Sequence, residues 1–471
     1  MIFRINNLIY NKMVGGGLIK LFANAKSHTY DSANHEGYAN EFIKELIKTD
    51  LNFGVELEQN IRRYGDMIHG FLIDITLPEI KTKYGKFRWK SNIGEKIISS
   101  LELSFGYNSL GYNSYMQYGE FYNIWDQLTL SKEQLRSYNM LIGQQNPIII
   151  IDDNGNISKK MNGLQTFKNY HPETNLSIPI RFNFKNISDE YNNLSGLPIR
   201  CMINTPQIRI RLEQFENLYD ISDIHTVIND EIKITIPNFS MTLNWIFFDI
   251  TKNDIINFNH KYIINNIQKQ EVELNGDTKI QLNFKGCVKE LLWTIEEKYD
   301  YNYWIKMSKI FDGFTRKTNF SIATTILNYY YENFTDKNKA MEWDSFFTIK
   351  KANINKDQYY LKSAKITANH IDIQEERLGE YYNLVQSYKH HSYVPKDKNI
   401  YLYNFSKYPE TIESSGFLDF DRLDLIELHL KLNKINISNH GILKIYAITQ
   451  DVLDFYQGSV CFNIKKYKTY I

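Results

Sequence analysis

Short runs in which apolar side chains fall on every second position, repeated in two separate sets, constrain this sequence most. From Met67 to Leu77 the odd positions are Met67, His69, Phe71, Ile73, Ile75 and Leu77. Asp74 and Thr76 fall on the other face, and Pro78 ends the run. Ile97, Ser99, Leu101, Leu103 and Phe105 alternate with Ser100, Glu102 and Ser104, and Gly106-Tyr107-Asn108-Ser109 then supplies turn chemistry. Ile208, Ile210 and Leu212 alternate with Arg209 and Arg211. The pattern restarts at Glu231–Pro237 and returns at Ile426–Leu432, with an apolar-rich run at Val288–Ile295 between them. A side-chain period of two marks strands with one buried face. Only short segments, such as Ser131–Met140 and Phe320–Tyr331, read as helices. Many short strands with Asn- and Gly-rich turns imply antiparallel sandwiches. Two sets joined around Glu213–Asp223 imply two sandwiches in tandem. The expected organisation is all-β, with an N-terminal arm over 1–40, a first sandwich over 41–220 and a second over 221–471.

A chain of 471 residues is too long for one ordinary core, which fits two domains. Aromatic residues are abundant at 14%, and they fit pleated, half-buried surfaces. The 55 basic and 54 acidic residues leave a net charge of +1, and no basic tail stands ready to neutralise phosphates, so direct packaging of nucleic acid is not expected. Cys201, Cys287 and Cys461 are far apart and odd in number, which argues against a disulfide framework and for a reducing compartment. No run of 18 apolar residues suggests a membrane span. The triplet Gly15-Gly16-Gly17, followed by Leu18-Ile19-Lys20-Leu21, reads as a flexible arm feeding a short apolar anchor.

The sequence offers little chemistry. The glycine triplet lacks the lysine and hydroxyl residue of a phosphate loop, and no zinc-protease helix, nucleophile elbow or dinucleotide fingerprint occurs. His390 and His391 are adjacent and on an extended strand would point to opposite faces, so they read as packed or hydrogen-bonding residues, not one metal site. Glu296-Glu297 and Glu375-Glu376 could be an acid and a base of a glycosidase, but solvated faces are the simpler reading. The expectation is a protein without catalytic residues, metal or cofactor.

Several segments, in order, resemble the major capsid proteins of nucleocytoplasmic large DNA viruses. Gly15, Gly16, Gly17, Leu18 and Leu21 resemble that family's N-terminal arm. Arg62-Arg63-Tyr64-Gly65-Asp66 looks like its R-x-GD strand, and Gly119-Glu120-Phe121-Tyr122-Asn123-Ile124-Trp125 like its stretch ending in Ile-Trp. Ile178-Pro179-Ile180-Arg181-Phe182-Asn183-Phe184 is similar to IPL-x-FWF, and Leu197-Pro198-Ile199 stands for LPL. In the second half, Gly286-Cys287-Val288-Lys289-Glu290-Leu291-Leu292-Trp293 is similar to HPVKELIW, and Tyr401–Ser406 to IYVYSFAL. Ser415-Gly416-Phe417-Leu418-Asp419-Phe420-Asp421-Arg422-Leu423-Asp424 resembles the family's PSG…NFSRID segment. The shared order over Gly15–Gly458 is the specific signal. Departures are an extra 12 residues at the start, Asn183 where the family has tryptophan, and Ser414 where it has proline.

The resemblance implies two eight-stranded jelly rolls in tandem and a homotrimer of pseudo-hexagonal outline that tiles an icosahedral shell. It implies a place in the virion, assembly in the host cytoplasm, and contacts with neighbouring capsomers and with minor or penton proteins. An inner-membrane-associated partner is expected to meet the N-terminal arm. The stretches Phe105–Pro179 and Asp300–Tyr360 are expected to form the outer tower and inter-subunit contacts. A minor capsid or scaffold protein of the same fold is the nearest alternative, and a carbohydrate-active β-sandwich a more distant one.

Overall fold

The computed structural model describes residues 38–108, 111–144, 148–151, 157–161, 163–186, 196–221, 227–228, 234–248, 260–274, 276–297, 341–342, 360–395, 397–433, 441–456 and 459–462. The arm residues Gly15–Leu21, the expected helix at 320–331 and most of the stretch 300–360 lie outside them.

The first sandwich faces two four-stranded antiparallel sheets against one another. One sheet carries β1 (Tyr38–Leu51), β3 (Met67–Leu77), β6 (Thr174–Ile180) and β8 (Ile236–Phe248) in the order β1-β8-β3-β6. The other carries β2 (Glu56–Asn60), β4 (Ile98–Asn108), β5 (Gly111–Gln117) and β7 (Gln207–Leu212) in the order β2-β7-β4-β5. Their inner faces share one core that includes Phe71, Ile73, Ile75, Leu101, Leu103, Ile208, Ile210 and Trp245. This is the alternation expected of stacked antiparallel sheets.

Two findings differ from the sequence reading. Residues 236–248 fall beyond the expected boundary at 220, yet β8 pairs with both β1 and β3 and sends Phe239, Met241, Leu243, Trp245 and Phe247 into the first core. Its alternation satisfies the first sandwich, and residues 213–221 are part of a connection within that sandwich. The second difference is at His69, read as part of the apolar face of β3. It is exposed and Ile68 is buried instead. The register with β8 slips there, with Gly70 opposite Asn244 but Ile68 opposite Trp245. A bulge of one residue reverses which side chains face inward.

The second sandwich repeats the plan. One sheet is built on β9 (His260–Leu274), β11 (Cys287–Glu297), β14 (Ile400–Asn404) and β16 (Gly441–Tyr456), in the order β9-β16-β11-β14. Short strands at Lys185–Asn186, Leu418–Asp419 and Ser459–Phe462 extend it. The facing sheet runs β10 (Thr278–Gln281), β15 (Ile426–Leu432), β12 (Leu361–Ala368), β13 (Ile371–Leu378). Leu291, Trp293, Ile366, Leu428, Leu430 and Ile445 fill the space between.

The β9-β16-β11-β14 sheet is buried on its outer face too. Ile267, Leu292, Ile400, Leu402, Tyr446 and Ile448 form a third cluster with Phe121, Tyr122, Ile124 and Leu128 of the first half. That explains why Val288–Ile295 is apolar-rich without clean alternation: both faces of the strand are dry.

Candidate functional site at the junction of the two sandwiches

The third cluster is organised by helix α2 (Gly119–Thr129), which follows the short α1 (Ile93–Ile97) and precedes α3 (Lys132–Leu141). The stretch 105–179, expected as a loop, therefore carries β5, α2 and α3. Helix α3 matches the expected Ser131–Met140 helix and begins with a capping box between Ser131 and Gln134. Helix α2 was not anticipated as a helix. Its apolar residues Phe121, Tyr122, Ile124, Trp125 and Leu128 have helical spacing, and four of them are fully buried. Burying each such side chain is worth about 1.5–3 kcal/mol before ordering costs.

Gly119 opens α2 where no side chain fits. A Cβ there would collide with the backbone carbonyl oxygens of Glu95 and Ile98. The next residue, Glu120, reaches into the second half. Lys444 Nζ donates to its Oε1 at 2.7 Å and Lys269 Nζ to its Oε2 at 3.1 Å, with Tyr446 Oη at 3.4 Å. Burial acts against this carboxylate, but the two lysines overcome it and draw its pKa down to about 2. Lys269 and Tyr446 are partners across β9 and β16, so one glutamate of the first half is gripped by two strands of the second.

On its other side α2 is tied to its own sandwich. Asp126 and Arg181 form a two-pronged ion pair, Nη1 with Oδ1 and Nη2 with Oδ2, the latter at 2.8 Å. The backbone N–H of Arg181 donates to Tyr122 Oη at 3.2 Å. Phe182 and Phe184, which follow, pack edge-on against Tyr115. Pro179 lies in β6 opposite Leu72. Glu95 is buried next to this pair. Its carboxyl is pushed well up, first by burial and then by the neighbouring Asp126 charge. One arginine thus faces two buried carboxyl groups, and of the two Glu95 is pushed further towards its neutral form. A raised folded pKa means stability is lost as pH climbs above the unfolded value of about 4.3. Glu95→Gln is therefore expected to melt level with the native chain at about pH 4 and above it at about pH 8, measured by thermal denaturation. An equal offset at both pH values would contradict a protonated Glu95.

A third seat holds the far end of α2. Trp125 stacks on Phe121 and meets His391 edge to face at 5.6 Å between ring centres. His391 follows α4 (Gln386–His390) and is buried. Its Nε2 lies 2.8 Å from Glu290 Oε1 and its Nδ1 3.2 Å from Glu410 Oε1. The expected packed, hydrogen-bonding role of this histidine holds. Its strand setting does not, since the preceding residues are helical. His390 contacts the Lys407 carbonyl oxygen at 3.1 Å.

Lys289 and Glu290 are fully buried on β11. The ladder with β16 slips here, with Val288 opposite Thr449 and Glu290 opposite Ile448. Lys289 is the extra residue, and the bulge turns its ammonium to the Thr411, Pro409 and Asn265 oxygens at 2.5, 3.3 and 3.4 Å. Burial lowers its pKa to about 8. Val288 and Trp293 fill the second core.

The remaining motif residues make local contacts within their own sandwiches. Arg63 donates to the Ile203 carbonyl at 2.7 Å, and Asp66 pairs with Arg200 at 3.1 Å. Both clasp the turn that Pro198 precedes. A Cβ on Gly65 would meet the Ile246 carbonyl at 3.1 Å. Gly416 has φ +126° and lies against the Phe405 carbonyl. Phe420 packs on Phe405, Arg422 pairs with Asp419 at 2.9 Å, and the Asp424 N–H donates to Asn369. Of the proposed acidic pairs, Glu376 is a partner of Lys431 and Ser363 on the surface. Among the described residues no group of three or more potential ligands could hold a metal ion.

Two family models account for most of the chain. The one described as major capsid protein N-terminus matches residues 29–249, and the large eukaryotic DNA virus major capsid protein matches residues 252–461. The sequence is 26% identical to the major capsid protein of Phaeocystis pouchetii virus, over 94% of this chain and 98% of that one. It is 22% identical to the major capsid protein of Paramecium bursaria Chlorella virus 1, over 93% and 92%. Among solved structures, the PBCV-1 virus capsid superposes with a TM-score of 0.64 at 19% identity, covering 94% of this chain and all of that chain. The Faustovirus major capsid protein gives 0.64 at 11% identity, covering 95% and 98%. These likenesses establish the double jelly-roll fold.

Proposed function

The chain belongs to the family of major capsid proteins of large eukaryotic DNA viruses, and from that premise we propose how it builds a shell. Three copies associate around a threefold axis, and the two sandwiches of each copy supply six similar wedges to a pseudo-hexagonal capsomer. Capsomers then meet edge to edge in an icosahedral shell. In this reading the first wedge runs through β8 and the second begins with β9.

The observation that carries this reading is the junction. Helix α2 carries Glu120 and Trp125 of one motif into the second sandwich, and Arg181 and, through His391, Glu290 from two other motifs meet it, so that one sandwich is fixed to the other. A subunit that must present two wedges at a set angle needs such a joint. In this reading the protein acts by contact and carries no catalytic step. Its partners are further copies of itself, neighbouring capsomers and the minor or penton proteins that close the shell, and assembly takes place in the host cytoplasm. The test is the native mass of the purified protein by light scattering. A stable species of three 55.8 kDa chains is expected. A monomer at all concentrations would overturn the proposal.

A further inference from the structure

The described residues hold one buried histidine clamped by carboxylates on both sides, and the role of the junction does not require that arrangement. His391 presents Nε2 to Glu290 from β11 and Nδ1 to Glu410 from the loop between β14 and β15. Glu410 in turn accepts from the Ser392 N–H and hydroxyl, both at 2.6 Å. A neutral imidazole carries one N–H and one lone pair. With a carboxylate at each nitrogen, only the doubly protonated ring donates to both, and the neutral ring must turn a lone pair on an anion.

We propose that His391 is an alkali-sensitive latch: as the imidazolium it ties the 405–416 loop and Trp125 to β11, and on losing its proton it leaves Glu410 to the Ser392 contacts alone and loosens that loop. The proposal rests on the junction described above. Among the described residues the titratable groups facing the ring are Glu290 on β11 and Glu410 on the loop, and α2 meets it with the Trp125 ring. Lys289 beside Glu290 grips the same loop through the Pro409 and Thr411 carbonyls. The Lys289 carbonyl accepts from the Phe405 and Ser406 N–H groups.

Burial alone would lower the His391 pKa, but Glu290 and then Glu410 raise it to about 9. For a base raised in the fold, the stabilisation is whole below the unfolded value of about 6.5 and is lost as pH climbs through about 9. Lys289 works in the opposite sense. With its pKa lowered to about 8, it adds stability between there and its unfolded value of 10.5. A loss of loop protection beginning below about pH 8 is therefore the signature of His391 and not of Lys289.

The experiment follows hydrogen exchange of peptides spanning 405–416 in the full chain, corrected for intrinsic rates, from about pH 6.5 to about pH 9.5. The native chain should lose protection by about a few hundredfold across this range, since a pKa of about 9 against about 6.5 spans about two and a half tenfold steps. His391→Gln should be weakly protected at every pH, with no slope. Glu410→Gln, whose side chain is partly exposed, should retain the slope with its midpoint about one pH unit lower, the size of one charge-assisted hydrogen bond. A flat profile in the native chain, or an undiminished slope in His391→Gln, overturns the latch. Should His391→Gln fail to fold, an unmoved midpoint in Glu410→Gln overturns it as well. These outcomes are read within one subunit, so they stand apart from whether three copies assemble.

Discussion

Gly119→Ala is expected to destabilise the protein by about 3 kcal/mol, the upper end of what overpacking a well-filled site costs. Most overpacked sites relax by rotating a side chain. Here the added methyl meets the backbone carbonyls of Glu95 and Ile98, which belong to α1 and the start of β4 and cannot swing aside. The first turn of α2 must move instead, and Glu120 moves with it. The variant should therefore lose the Lys269 and Lys444 contacts that bridge the two sandwiches. Chemical denaturation of the full chain measures the loss. The control is Gly70→Ala, where the nearest atom is Asn244 Cβ at 3.5 Å, an ordinary contact. That variant should fall within about 0.5 kcal/mol of the native chain. Equal costs for the two would mean that α2 does not depend on its close start.

Arg181→Met should cost about 3–5 kcal/mol, because breaking a buried pair strands a charge in the interior. Asp126 is 1% exposed and already has its pKa raised by burial, with Arg181 acting against that. Without the arginine, Asp126 must take up a proton or lie buried and charged. The deficit should thus shrink as pH falls into the range where carboxylates protonate. Combining Arg181→Met with Asp126→Leu should recover a large part of the loss, since an apolar pair of similar volume replaces an ion pair at little cost. Denaturation midpoints at neutral and acid pH distinguish this from simple loss of packing, which would leave the deficit unchanged with pH and uncured by the second substitution.

Much of the fold was legible in the residues. The alternation over Met67–Leu77, Ile208–Leu212 and Ile426–Leu432 reports a single buried face, and each run is a strand of one of the two sandwiches. Bulges were not legible, because a slipped register at His69 or Lys289 leaves no mark in a single strand. It depends on the partner strand. The same limit hid the home of β8, whose alternation is equally compatible with either sandwich. The junction was the hardest part to read. Gly119–Trp125 stood out as a motif, yet aromatic and β-rich composition obscured its helical spacing. Its partners Lys269 and Lys444 lie 149 and 324 residues further along the chain. A signal was present all the same: Val288–Ile295 is apolar-rich without alternation, as a strand covered on both faces is expected to be, and something had to cover the second face. The adjacent charges Lys289-Glu290 in such a run mark a buried polar site for the same reason.

The central claim is that one chain supplies two rigidly joined sandwiches to a threefold assembly, and a cryo-electron microscopy map of the purified protein that resolves strands tests it most directly. The account predicts three chains, six sandwiches around the axis, and in every chain α2 wedged between that chain's own two sandwiches. A map with another number of chains, or with α2 detached and the two sandwiches of one chain at variable angles, would contradict it.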